Sequence, residues 1–182
     1  MIWDFLFPKE EVKWEEKEED GPSTKVKYSG PFDLKGLYQK LHDWLSDNDY
    51  TDIQVGQDYY ETWYYHKETK DGLMFLKFKW SAVKKFSDEP EIKHFLNITV
   101  TVAPYNKNLK KGDLEIEIKS KRKWKEPKEE GSFYIREGAK RYKKDKLKPK
   151  LKESAKKLYE DVYKFKKEIE EFLKTYYVTP LV

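Results

Sequence analysis

The chain has no cysteine, which excludes disulfides, thiolate nucleophiles and cysteine-ligated zinc. Its three histidines, His42, His66 and His94, fall at no metal-ligand spacing and read as ordinary surface or boundary residues. No cofactor is called for. Glycine is scarce, eight in 182 residues, and neither a glycine-rich phosphate loop nor a GxSxG turn appears. Long apolar runs are missing too. The longest near the start is Phe5-Leu6-Phe7, short of a signal peptide and of the ~18 residues that cross a membrane. A cytoplasmic protein that is not an enzyme is the expectation.

What is present is charge and aromatic rings. Charged residues make up 40% and aromatics 16%, and that many rings argues for a folded domain with a thin aromatic core beneath a Lys/Glu skin. The charge is unevenly placed. Lys9 to Asp20 holds seven acidic and three basic residues, net −4, while Lys119 to Lys150 holds fourteen basic and five acidic, net +9. Any anionic partner is expected at the basic segment, which the acidic run could itself occupy.

Leu151, Ala155, Leu158, Val162, Phe165, Ile169, Phe172 and Tyr176 recur at gaps of four and three, one stripe of a helix from Leu151 to Tyr177. Tyr159, Tyr163, Leu173 and Tyr177 widen it. Upstream, Thr24–Ser29 alternates as a short strand. Asp33 is placed to cap a helix carrying Leu34, Leu37, Tyr38, Leu41, Trp44 and Leu45, with Asn48 as its left-handed stop. Strand patterns follow at Tyr59–His66, Leu73–Val83, His94–Ala103 and from Leu114 through Trp124, with a short one expected at Phe133–Ile135. Glu115 and Glu117 alternate with Leu114, Ile116 and Ile118, a solvated strand face and not an acid–base pair.

The predicted fold is α+β: an antiparallel meander of five to six strands, covered by a long C-terminal helix, with one short helix after the first strand. Residues 1–22 read as a flexible aromatic hook and acidic run, 23–178 as a single domain, and 179–182 as a tail. This order of elements resembles the helix-grip fold of START and polyketide-cyclase-like proteins, and the resemblance implies a ligand cavity under the last helix. Gly30-Pro31-Phe32-Asp33-Leu34, Trp44-Leu45 and Leu158-Tyr159-Glu160-Asp161-Val162-Tyr163 are similar to a group of small, mainly archaeal proteins. That likeness implies no activity.

Functionally the sequence suggests a binding or interaction module. Its contacts would lie at the hook (Trp3, Phe5, Phe7) and at the basic segment (Lys121, Arg122, Lys123, Trp124, Arg141, Lys143, Lys144). The partner would be a protein or an anionic surface, and weak membrane-surface contact through the hook is compatible with its Trp and Phe. The helix-grip alternative places a small hydrophobic ligand against Tyr60, Tyr64, Phe165, Ile169 and Phe172. A further alternative is nucleic acid, bound where basic residues interleave with aromatics or on the Tyr59–Tyr65 run. A monomer is favoured over a helix-mediated dimer, because the tyrosines beside the stripe absorb its drift on a sheet.

Overall fold

The computed structural model describes residues 11–176; the hook, the tail and Tyr177 lie outside them. The six strands are β1 (Trp14–Pro31), β2 (Thr51–Asp52), β3 (Glu61–Glu68), β4 (Leu73–Asp88), β5 (Glu91–Asn106) and β6 (Lys111–Pro127). They form one antiparallel sheet in the order β1-β6-β5-β4, with β2 and β3 both on the outer edge of β4. Helix α1 (Leu34–Asp47) follows β1, and α2 (Phe133–Tyr142) runs through a wide π-turn at Lys143–Leu147 into α3 (Lys148–Lys174).

Alternation decides which face is covered. Met74, Leu76, Phe78, Trp80 and Ala82 of β4, Leu96, Ile98, Val100 and Val102 of β5, and Leu114, Ile116 and Ile118 of β6 are all buried. They meet Leu37, Leu41 and Leu45 of α1 and Leu158, Val162, Phe165 and Ile169 of α3 in one core. The intervening residues face outward, and among the described residues no helix covers the opposite face of the sheet.

Three expectations are corrected. The first strand is three times the length of the expected Thr24–Ser29, because the acidic run is not a loose leader. Glu16, Glu18 and Asp20 stand opposite Lys125, Lys123 and Lys121 in the ladder, so opposite charges meet on one face of neighbouring strands. The expected boundary at 22–23 therefore falls inside β1. Phe133–Ile135 opens a helix, not a strand: these residues start a continuous helical path into α3. Pro149, which cannot donate to the carbonyl a turn back, sits just after the π-turn that absorbs this break. Finally, Asn48 is not left-handed; Asp49 takes that conformation, at φ 65°.

The close approach of β5 and β6 at one end fixes another residue. A Cβ on Gly112 would meet the Pro104 carbonyl oxygen, so only glycine fits there.

Candidate functional site

Three places hold chemistry: a buried polar cluster under α3, the α2 overhang, and the uncovered sheet face.

The cluster begins with His94, which alternation puts on the covered face of β5, fully buried, in place of the surface or boundary position expected of it. Its Nε2 lies 2.6 Å from Ser154 Oγ on α3, and the Phe86 ring stacks on it at 5.1 Å. Burial is the main cause that depresses its pKa to about 4, and the Lys84, Arg122 and Lys157 charges act in the same direction against the nearby Asp161 carboxylate. Two turns along α3, Asp161 is equally buried. Its Oδ2 accepts from Tyr50 at 2.9 Å and Lys84 at 3.2 Å, and its Oδ1 pairs with Lys157 at 3.0 Å. A serine bonded to a histidine is the start of a nucleophile–base pair, but both are wholly enclosed, and among the described residues the imidazole Nδ1 has no partner to orient it. The arrangement pins α3 to β5 and to the loop after α1.

Burial also consumes part of the basic segment. Arg122 donates to the Leu151 carbonyl at 2.6 Å and to Glu19, while Lys121 and Lys123 pair with Glu18 and Glu16. Trp124 is half-buried, with Nε1 donating to Glu126. These four expected partner contacts are therefore engaged within the fold: the acidic run takes the three cations and Glu126 takes Trp124. Lys143 is likewise held, by Glu126 and Glu129. Trp3, Phe5 and Phe7 lie outside the described residues.

Arg141 and Lys144 have a different fate. They stand on the overhang formed by α2 and the π-turn, where Phe133 to Leu147 holds six basic and two acidic residues, net +4. Among the described residues Arg136, Arg141, Lys144 and Lys146 have no ion-pair partner. Phe133 and Tyr134 pack edge-to-face at 5.8 Å and remain 63% and 85% exposed. A shallow depression of about 640 Å³ runs between them and Arg141 and Lys144, over Gly138, where a side chain would meet open space. The helix touches the body through buried Ala139 and through Tyr142, whose ring meets Trp14 at 5.6 Å. Sequence reasoning counts Tyr134 among the aromatics interleaved with basic residues, but misses Phe133 and the pairing of the two rings because it assigns them to a strand.

Of the five residues expected to line a cavity, Tyr60, Phe165 and Ile169 belong to one packed core and Phe172 packs against it. Phe165 stacks face-to-face on Trp44 at 4.2 Å and Ile169 is fully buried, both filling the core. Tyr60 is buried with its hydroxyl on the Tyr50 carbonyl, and Phe172 packs half-buried against the core. Only Tyr64 lines a depression, one of about 590 Å³ at the edge of the sheet, with Leu34, Tyr38, Met74, Leu76 and Tyr105. His42 and His66 lie apart from His94. Among the described residues no group of His, Asp and Glu is arranged to hold a metal, and no helix is long and apolar enough to cross a membrane.

No family model, curated protein or solved structure matches this chain. The function has to be argued from the surfaces themselves.

Proposed function

We propose that this protein is a non-enzymatic interaction module that docks an acidic polypeptide on α2. One observation carries the reading: two exposed aromatic rings, Phe133 and Tyr134, beside Arg141 and Lys144, which lack partners within the described chain. Aromatics and arginine are the side chains that anchor protein interfaces, and isolated cations gain most from a partner's carboxylates. Gly138 leaves room for that partner's backbone to come close to the helix. A helix interior exposing glycine costs about 1 kcal/mol relative to alanine, and nothing within the fold requires it.

The test uses a fluorescein-labelled peptide of Glu residues interspersed with Leu, read by fluorescence anisotropy at low salt. Arg141→Glu with Lys144→Glu is expected to weaken binding at least tenfold, and Phe133→Ala several-fold, with unchanged thermal unfolding. Equal affinity for the wild type and the charge-reversed chain would refute the reading.

A second reading, the carrier of a small apolar ligand, is favoured by the depression beside Tyr64 at the sheet edge, away from the filled core under α3. Under it an environment-sensitive apolar dye brightens on the protein, and Tyr38→Ala with Tyr64→Ala removes most of that signal. Dye fluorescence that survives both substitutions would count against a carrier site there.

A further inference from the structure

The uncovered sheet face has one region whose charges are not cancelled. On the β1–β6 side Glu115 pairs with Lys25 and Lys27, at 3.2 and 3.6 Å, and Glu117 with Lys119, while Asp113 accepts from Ser29 Oγ. Across β5 the face then becomes neutral, with Thr99 and Thr101. Beyond it, on β4 and the edge strand β3, come three rows: Trp63 opposite Lys79, Tyr65 opposite Lys77, and Lys67 opposite Phe75. Among the described residues none of these three lysines has a carboxylate partner.

The rings are arranged as a platform. Trp63 and Tyr65 lie nearly parallel, 11° apart with centroids at 6.3 Å, and are 45% and 47% exposed. Lys79 Nζ sits 5.7 Å from the Trp63 centroid. Between Tyr65, Phe75, Lys67 and Lys77 the face dips into a depression of about 360 Å³ floored by Thr101 and Ala103. It continues across Ala103 into a second hollow towards β6. Successive rows along a strand are ~6.6 Å apart, so three rows span a few nucleotides.

We propose that this β3–β4 surface binds single-stranded nucleic acid, with bases stacking on Trp63 and Tyr65 and phosphates meeting Lys67, Lys77 and Lys79. Unstacked bases offer the flat faces these rings need, and every base has one, so sequence preference should be weak. A duplex hides those faces and would use the lysines alone. An acidic peptide would leave the parallel rings without a matching flat partner. The surface lies on the opposite face of the sheet from α3 and is independent of the α2 reading.

The experiment measures anisotropy of fluorescein-labelled dT12 and rU12 with the full chain as salt is raised. The logarithm of affinity should fall with the logarithm of salt at a slope of about −2, three phosphate contacts on a single strand. Trp63→Ala should weaken binding about 5- to 150-fold, the range for losing one base stack. Lys77→Glu with Lys79→Glu should weaken it further and flatten the salt slope. All three side chains face solvent, and an unchanged melting temperature separates lost contacts from misfolding. Arg141→Glu with Lys144→Glu should leave oligonucleotide binding intact. The proposal is overturned if Trp63→Ala binds as wild type, or if the α2 variant alone abolishes binding. It is equally overturned if a 12-base-pair duplex or polyglutamate competes as well as dT12.

Discussion

Val162→Asp is expected to abolish the fold. Val162 is fully buried on α3, in one core with Leu158, Phe165 and Ile169 and the inward residues of β4, β5 and β6. No cation in the described core is free to pair with a new carboxylate there, since Lys84 and Lys157 are already on Asp161. An unpaired charge at such a position costs more than about 4 kcal/mol, a large share of the roughly 5–15 kcal/mol that holds a domain together. Circular dichroism should show no cooperative melt. The neighbouring Tyr163→Asp makes the control: that ring is 45% exposed and touches mainly Tyr159, at 4.3 Å. Its cost should stay below about 1 kcal/mol. A Val162→Asp protein that keeps its fold and merely changes from dimer to monomer would mean that α3 packs on another copy.

The same helix marks how far the sequence could be read. Its apolar stripe was plain because burial of one face leaves a periodic record, and Leu158, Val162, Phe165 and Ile169 are buried as that record implies. The ends of the stripe were misjudged. A strict alternation of four and three drifts from the true turn of 3.6 residues, so the buried face returns on Ser154 instead of Ala155 upstream. Downstream it falls on Leu173, with Phe172 only half-covered. Tyr159 and Tyr163 do not widen the buried stripe; they pair with each other in solvent. Asp161 and His94 were invisible as core residues because polarity argues for the surface, and only tertiary partners reverse it. The long β1 was hidden for a related reason. An acidic run has nothing to bury and looks disordered, until its charge finds a basic strand far along the chain: Glu18 pairs with Lys121, 103 positions on. The uncovered face was legible in its residues but not in its grouping: the pairing of Trp63 with Lys79 depends on a register shift between Glu61 and Trp63 that no local pattern announces.

Acid should weaken this protein in two separable stages. His94 is neutral in the fold, with its pKa depressed to about 4 chiefly by burial, whereas in the unfolded chain it titrates at its ordinary 6.5. Above pH 6.5 both states carry a neutral ring and the stability is undiminished. As the pH falls below 6.5 the unfolded chain takes up a proton that the folded one refuses, so stability drops by about 1.4 kcal/mol per pH unit. The loss ends near pH 4, after about 3 kcal/mol. Below that, Asp161 takes over. Burial raises its pKa, but the bonds from Lys157 and Tyr50 and the Lys84 charge outweigh burial and hold it below the ordinary 3.8. Its contribution is present above that ordinary value and disappears as the pH falls through the lower folded one. Glu18, Glu68 and Glu115, each held low by a lysine, also act only below about their usual 4.5. The interval from pH 6.5 to 5 thus belongs to His94 among the groups with displaced titration. Urea unfolding across that interval should show the one-proton slope in the wild type. His94→Gln keeps an amide within reach of Ser154 and cannot titrate, so its stability should be level over the same interval, whatever its absolute value. A level wild-type curve would mean that His94 takes up its proton in the folded state, and that α3 does not seal the cluster from water.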